Sequence, residues 1–172
     1  HIKEDSKYFL GSKTGWILME SPAFYLMLLF FLIFGDYKNY VQIVLTFLFC
    51  LHYFNRSFIW PIRAQTNLKK MPLKIAISAF GFNVVNVFFQ GTWIFFLIDY
   101  EESWLLSIWF ILGLVVFFSG MVINIISDEI MMNLKKTSNG EYSIPRGFLF
   151  SKISCPNYCG EFLEWLGWAL MT

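Results

Sequence analysis

The sequence predicts an all-α membrane protein, a polytopic bundle of about five transmembrane helices. Of its 172 residues, 57% are hydrophobic and only 15% carry a charge, whereas a soluble domain of this size usually has about 25% charged residues. The uncharged residues also cluster in runs. Several of these runs reach the roughly 20 residues that a helix needs to cross a bilayer core about 30 Å thick.

Each apolar run predicts one helix of a single domain covering residues 1–172, after a polar lead-in at residues 1–13. Because the chain opens on His1 and its last span is short, we expect a longer polypeptide. The connecting stretches are a short turn at 35–39, a basic loop at 61–70, an acidic turn at 99–102 and a long polar loop at 133–155. The predicted spans are residues 16–34, 40–60, 71–98, 104–132 and 156–172.

The basic residues predict how the helices are oriented. With five alternating spans, the lead-in, the 61–70 loop and the 133–155 loop share one side, and Lys38 is the only basic residue in the opposite turns. The positive-inside rule then places the 133–155 loop in the cytosol, at the endoplasmic reticulum in a eukaryote or the inner membrane in a bacterium. The basic residues of that side are Lys3, Lys7, Lys13, Arg63, Lys69, Lys70, Lys135, Lys136, Arg146 and Lys152.

Charge and cysteine content exclude several classes of function. The net charge is +1, which gives no reason to expect a nucleic-acid partner. Three cysteines are an odd number without the pattern of a disulfide framework. Cys155 and Cys159 have no histidine nearby, so we expect buried unpaired thiols and no metal site.

Glu20 interrupts the otherwise apolar first span. Ionisable groups at membrane depth are costly and tend to mark function. Since burial disfavours the charged form, an isolated carboxyl there is expected to be neutral, and a neutral carboxylic acid can donate a hydrogen bond to a ketone. The alternative is that Glu20 lies at the interface, in contact with water.

The second span ends in a group that combines a histidine, a phenol and a guanidinium, at His52, Tyr53 and Arg56. Tyr53 is suited to donate a proton to a carbonyl, and Arg56 is suited to bind phosphate. Spacing alone favours the simpler interpretation of an interfacial aromatic residue and a cation that extends toward water.

Amide side chains occupy one face of the third helix, because Asn83, Asn86 and Gln90 are spaced i, i+3 and i+7. Hydrogen bonds between helices are the ordinary explanation for such amides in a membrane. A lining for a cavity is the alternative.

Two polar faces flank the long loop. Asn124, Ser127 and Asp128 form one at the end of the fourth span, followed by Lys135. The other lies at the start of the fifth span and consists of Asn157, Glu161 and Glu164. Amides and carboxylates suit a ribose and a carboxamide, and cations suit phosphates, so the pattern fits a nucleotide, with structural pairing as the alternative. Neither a Gly-x-Gly-x-x-Gly nor a Walker motif is present.

Five segments together resemble the membrane-embedded steroid 5α-reductases and their relatives, which reduce enone or enoyl double bonds with NADPH. They occur in the family's order and spacing and extend over nearly all of the chain. Each is weak alone, and the set is specific. The segments are 20–24 (ESPAF), 51–58 (LHYFNRSF), 120–128 (GMVINIISD), 142–150 (YSIPRGFLF) and 157–165 (NYCGEFLEW).

The resemblance implies roles for individual residues. Glu20 and Tyr53 match the family's positions for binding and polarising the substrate ketone. The remaining matches concern NADPH. Asn124, Asp128, Asn157 and Glu161 match positions at its nicotinamide half and ribose. The further cofactor contacts implied are Arg56, Lys135, Tyr142 and Arg146.

The sequence also departs from the family pattern. Lys135 stands where relatives often have Arg, and Ser143 occupies a position that is Arg in close steroid-reducing relatives. Phosphates would then be met by other cations, with Lys69, Lys70, Lys136 and Arg146 as choices. Family members are similar seven-helix proteins, with one helix before this region and one after it. The last of those helps to hold the cofactor.

Three functions follow in order of preference. The first is a monomeric NADPH-dependent 3-oxo-5α-steroid 4-dehydrogenase that takes its lipophilic substrate from the bilayer. The second is a related reductase of a polyprenol or an enoyl-thioester. The third is a non-catalytic membrane scaffold or channel, in which Glu20 and Asp128 only form structural pairs.

Overall fold

The computed structural model describes residues 8–64, 69–137 and 144–172, with side chains through residue 134 in the second range. The described chain is dominated by helices, which confirms the all-α prediction. It divides into two compact units, His1–Glu102 and Ser103–Thr172. The prediction of one domain over residues 1–172 stays a prediction.

Four helices form the first unit. They are α1 (Ser12–Phe34), α2 (Tyr40–Phe54), the short α3 (Trp60–Arg63) and α4 (Leu73–Thr92). Helix α1 packs against both α2 and α4. Small and medium apolar side chains are fully buried there, and they form the core of the unit. Examples are Ala23, Met27, Val41, Leu45 and Val87.

The turn between α1 and α2 is fixed by an asparagine cap. The side-chain oxygen of Asn39 accepts hydrogen bonds from the backbone N–H groups of Val41 and Gln42, each at 3.1 Å. Such a cap satisfies donors that the first turn of a helix leaves unpaired. The same side chain donates through Nδ2 to the Tyr100 carbonyl oxygen at 2.9 Å. Asn39 therefore ties the turn to the segment that follows α4.

A short antiparallel ribbon joins the beginnings of α1 and α4. Strand β1 (Phe9–Gly11) pairs with β2 (Lys70–Pro72), with Leu10 opposite Met71. The sequence predicted only an aqueous lead-in and a basic loop here. Two three-residue strands carry too little periodicity to be recognised, and each pairs with a residue about 60 positions away.

Two helices widen by one residue at a π-turn. Helix α2 continues through the π-turn Asn55–Ile59 into α3, where the Trp60 N–H bonds to the Asn55 carbonyl. Helix α4 continues into the π-turn Trp93–Leu97, where the Ile98 N–H bonds to the Trp93 carbonyl at 3.2 Å. Such i→i+5 turns are rare and occur often at functional sites.

The second unit is a helical hairpin. After a 3₁₀ turn at Glu102–Leu106, α5 extends over Ile108–Thr137 and packs along its length against α6 (Pro156–Met171). The predicted fourth span therefore begins four residues too early and ends five too early. Within the predicted loop, Phe148–Ser151 forms a second 3₁₀ turn. Gly147 precedes it with φ +86°, a conformation that favours glycine.

Four helical segments are long and apolar enough to cross a membrane. Helix α6 has 16 residues, fewer than the roughly 20 that span a bilayer core. Four of the five predicted spans are therefore confirmed within the described residues. Those segments are Ser12–Phe34, Tyr40–Arg63, Leu73–Leu97 and Ile108–Leu134.

Candidate functional site

In the first unit, Glu20 and Tyr53 each receive a hydrogen bond from an amide of α4. Asn83 Nδ2 donates to Glu20 Oε2 at 3.2 Å and also to the Met19 carbonyl oxygen at 2.6 Å. Asn86 Nδ2 donates to the Tyr53 hydroxyl oxygen at 3.0 Å. Two of the three amides predicted to bridge helices, Asn83 and Asn86, do so. Their partners include the two residues on which the predicted ketone chemistry depends.

The Tyr53 ring is held by its neighbours on α2. Its centroid lies 4.7 Å from that of Phe49 and 5.0 Å from that of His52, the latter pair edge to face. Tyr53 is 4% exposed and His52 is 5% exposed. Tyr53 is thus a phenol buried inside the first unit rather than on its outer surface.

The guanidinium group of Arg56 lies close to two tryptophan rings. Its guanidinium carbon is 5.3 Å from the centroid of the Trp16 ring and 5.7 Å from that of Trp60. The two rings are themselves 4.3 Å apart between centroids, and Trp16 Nε1 donates to the Arg56 carbonyl oxygen at 3.2 Å. Guanidinium groups bind aromatic faces in this way. The predicted phosphate contact of Arg56 stays a prediction.

The polar face of α5 is buried in the second unit. Asn124, Ser127 and Asp128 are 2%, 0% and 5% exposed. Asn124 Nδ2 donates to the Asn157 carbonyl oxygen at 2.9 Å, and Ser127 Oγ donates to the Ile123 carbonyl oxygen at 2.6 Å. The polar face of α5 therefore meets the backbone of α6 where α6 begins.

Glycines allow α5 and α6 to approach this closely. A Cβ on Gly160 would lie 2.5 Å from the backbone nitrogen of Asn124. A Cβ on Gly120 would lie 2.5 Å from the Gly160 carbonyl oxygen. Gly113 and Gly167 make the same reciprocal contact two turns away, where a Cβ on Gly113 would lie 2.7 Å from the Gly167 carbonyl oxygen. Backbone touches backbone at both levels, which places Asn124 beside Asn157.

The remaining predicted residues are distributed as follows. Glu161 is partly exposed on α6, and Glu164, one turn later, is 3% exposed. Arg146 is exposed just before the 3₁₀ turn at Phe148–Ser151. The side chain of Lys135 and the whole of Tyr142 lie outside the described residues.

Two features of these units were not predicted. The aromatic partners of Arg56, Trp16 and Trp60, come from separate helices, and nothing in the sequence pairs them. The glycine contacts do have a signal in the sequence. Gly113 and Gly120 are seven residues apart, as are Gly160 and Gly167, and small residues at helical spacing typify close helix packing in membranes.

These groups suit two kinds of chemistry. In the first unit, a carboxyl and a phenol, each supported by an amide, are suited to bind and polarise a carbonyl oxygen. In the second unit, buried amide and carboxylate side chains offer both donors and acceptors, which suits the hydroxyl and carboxamide groups of a nucleotide.

Comparison with known proteins shows which family the chain resembles. The family model described as 3-oxo-5-alpha-steroid 4-dehydrogenase matches residues 69–172. The steroid 5-alpha-reductase DET2 of Solanum lycopersicum is 41% identical over 174 residues, which cover 100% of this chain and 67% of that protein. DET2 of Arabidopsis thaliana is 42% identical over 92% of this chain and 63% of that protein.

A mammalian relative is more distant. The human 3-oxo-5-alpha-steroid 4-dehydrogenase 2 is 34% identical over 95% of this chain and 64% of its own length. The chain thus spans about two thirds of the length of these relatives. Together with the four apolar helical segments, the similarity identifies an integral membrane protein. The chain belongs to the 3-oxo-5-alpha-steroid 4-dehydrogenase family, whose members include the steroid 5α-reductases.

Proposed function

We propose that the protein reduces the Δ4 double bond of a 3-oxo steroid with NADPH. The observation that carries this proposal is the pairing of Glu20 and Tyr53 with the amides of α4 in a membrane-embedded unit. The family membership supplies the steroid and the reduction, because relatives covering most of this chain are named for that activity.

Glu20 and Tyr53 act on the ketone. A neutral Glu20 carboxyl and the Tyr53 hydroxyl both donate hydrogen bonds to the C3 oxygen of the substrate. Negative charge develops on that oxygen as hydride adds at C5, and preorganised donors stabilise it more strongly there than in the ground state. A proton then reaches C4 and completes the reduction. The surrounding low dielectric strengthens both hydrogen bonds.

NADPH, when bound, supplies the hydride. The donor set of the second unit fits this cofactor, because Asn124, Asp128, Asn157 and Glu161 provide amides and carboxylates for its carboxamide and ribose. Its phosphates require cations and other donors outside the apolar core. The residues that would meet them are Arg56, Lys135, Tyr142 and Arg146.

The proposed setting is a monomer that receives its substrate from the bilayer, with the 133–155 loop in the cytosol, where NADPH is available. The large lipid-facing surface of α1 and α4 suits a lipophilic substrate, since side chains such as Leu32, Phe82 and Phe89 are more than 60% exposed. The ketone-binding pair favours a steroid over a polyprenol, which has no ketone.

Two measurements on the full-length polypeptide test this proposal. We expect purified protein in detergent to bind NADPH in preference to NADH, and Asn124→Ala or Asn157→Ala to weaken that binding. We expect Glu20→Gln and Tyr53→Phe each to lower turnover of progesterone, a 3-oxo-Δ4 steroid, by about 100-fold while NADPH binding is retained.

The outcomes separate the possible functions. Unchanged turnover in both variants would refute the roles of Glu20 and Tyr53. Reduction of a polyprenol or an enoyl-thioester in place of the steroid, detected by product analysis, would keep the reductase and change the substrate. A full-length protein that binds neither nucleotide would support a non-catalytic membrane protein.

A further inference from the structure

We propose that Asn83 and Asn86 are positioning residues that fix how Glu20 and Tyr53 present their acidic protons to the substrate oxygen. The inference rests on the proposed function, because it concerns the same two acids. It extends that function to a third helix, α4, which contributes no acid of its own.

Asn83 fixes one oxygen of the Glu20 carboxyl. Its Nδ2 group has two hydrogens and no acceptor capacity. One contact goes to the Met19 carbonyl oxygen at 2.6 Å, and the other goes to Glu20 Oε2 at 3.2 Å. Oε2 is therefore held as an acceptor. The proton of a neutral Glu20 is then carried by the other oxygen, Oε1, which turns toward the substrate.

Asn86 sets the direction of the Tyr53 hydroxyl. Asn86 Nδ2 donates to the hydroxyl oxygen at 3.0 Å. Because an amide nitrogen accepts no hydrogen bond, the hydrogen of the Tyr53 hydroxyl points away from Asn86. A hydroxyl that accepts one hydrogen bond also becomes a stronger donor of its own, through polarisation along the chain of bonds.

One rigid element delivers both contacts. Asn83 and Asn86 are three residues apart on α4, so they lie on the same face of one helix. Glu20 and Tyr53 belong to two other helices, α1 and α2. Close packing of α4 on α1 is assisted by Gly91, where a Cβ would collide with the Phe30 ring. Helix α4 thereby sets the spacing of the two acids.

Burial distinguishes Asn83 from an ordinary surface amide. Asn83 is 4% exposed, so its Nδ2 group depends on protein partners. Its neighbours Val84 and Val85 are exposed on the lipid-facing side of the same helix turn. Val85→Ala is therefore a matched control that shortens an α4 side chain without touching either acid.

The experiment is a double-mutant cycle in the full-length polypeptide. Asn86→Leu removes the donor and keeps the side-chain volume, so the packing of α4 is preserved. We expect it to lower kcat for progesterone reduction about tenfold, with little change in KM for NADPH. In a Tyr53→Phe background the same substitution should change kcat less than about twofold, because the hydroxyl that it orients is already gone. Val85→Ala should resemble the wild type.

A spectroscopic measurement tests the same inference without turnover. Hydrogen bonds to a ketone lower its infrared stretching frequency. We expect bound progesterone labelled with ¹³C at C3 to absorb at a higher frequency in Asn86→Leu and in Asn83→Ala than in the wild type. Asn86→Leu should approach the frequency of Tyr53→Phe. A purely structural loss of packing in Val85→Ala should leave the frequency unchanged.

The results distinguish this inference from the proposed function. If the wild type reduces progesterone, and Asn86→Leu keeps full activity and an unshifted carbonyl band, the positioning roles are overturned. The proposed function then still stands. Equal losses from Asn86→Leu with and without the Tyr53 hydroxyl would also overturn them, since the effect would then be independent of the acid. A wild type that neither binds nor reduces progesterone would overturn the proposed function, and the positioning roles with it.

Discussion

Amide side chains such as Asn83 and Asn86 are stable inside the apolar first unit because they have defined hydrogen-bond partners. Gln42 shows the rule away from the proposed site. Its Oε1 accepts from the Asp36 N–H at 2.9 Å, and its Nε2 donates to the Ile94 carbonyl at 3.4 Å. An amide group left unpaired in hydrocarbon costs roughly several kcal/mol. The sequence identifies such amides readily, whereas their partners depend on how the helices pack.

Tyr100 makes stability depend on pH in the alkaline range. It lies outside the spanning segments and is 7% exposed. Burial raises the pKa of its phenol from the ordinary 10.0 to about 12, because a phenolate loses solvation there. In the unfolded chain the phenol ionises near its ordinary pKa. The folded state is therefore unaffected below about pH 10 and loses stability as pH rises from about 10 to 12.

The measurement is the thermal unfolding midpoint in detergent at a series of pH values. We expect the Tyr100→Phe variant to lose less of its midpoint between pH 9 and pH 12 than the wild type. Tyr40→Phe, which alters a tyrosine that is 59% exposed, serves as the control and should follow the wild-type curve. Identical curves for wild type and Tyr100→Phe would show that burial of this phenol does not govern alkaline stability.

At the scale of helices, the α5–α6 pair depends on glycines in reciprocal contact. Contacts of Gly160 with Asn124 N and Gly120 O involve backbone atoms, which cannot move aside as a flexible side chain can. We expect Gly160→Ala to lower the free energy of unfolding by about 1–3 kcal/mol through overpacking. It should also weaken NADPH binding, because it separates Asn124 from Asn157.

Gly81→Ala is the matched control for that substitution. Gly81 is also inside a helix, and a Cβ there would meet nothing within 4 Å. Alanine stabilises a helix relative to glycine by roughly 1 kcal/mol, so this variant should be neutral or more stable. Unfolding in increasing concentrations of SDS compares the two variants. Equal stability of both would show that the close approach of α5 and α6 is not essential.

Elements were predictable where one strong pattern determines them. Hydropathy located α1, α2, α4 and α5 to within a few residues, because lipid requires long helices. Helix ends, the β1–β2 ribbon and the two π-turns were not predictable, since they depend on pairing between distant residues. The polar faces of α5 and α6 were visible from spacing. The stacking of Arg56 on Trp16 and Trp60 was not.

At the scale of the whole molecule, the proposed orientation can be tested with a native cysteine. The prediction of a buried thiol is wrong for Cys155, which is exposed in the 133–155 loop, whereas Cys50 is buried in a spanning segment. In bacterial spheroplasts that carry the protein in the inner membrane, a membrane-impermeant maleimide should leave Cys155 unmodified until the membrane is opened. Cys159→Ser should be introduced first, so that Cys155 is the accessible thiol that reports.

An opposite result would place the loop outside the cytosol. Asp36→Cys, in the turn between α1 and α2, supplies the matched control in a Cys155→Ser background. Its thiol should be labelled before the membrane is opened. Labelling of Cys155 in intact spheroplasts, with Asp36→Cys protected, would reverse the proposed orientation and would remove the case for a cytosolic cofactor loop.

The π-turn at Asn55–Ile59 adds one residue where α2 passes into α3, immediately after Tyr53. In a helix of regular pitch, one residue corresponds to a rotation of about 100°. The extra residue therefore allows side chains before and after the turn to face in directions that a uniform helix would not combine. Tyr53 faces Asn86 on one side of the bend, while Trp60 still reaches Trp16 beyond it. Ser57 is fully buried in this turn, and its hydroxyl has no hydrogen-bond partner among the residues that the structure describes. A deletion of one residue here would shorten the chain by less than one part in a hundred. The contact of Tyr53 with Asn86 and the contact of Trp60 with Trp16 would then no longer both form.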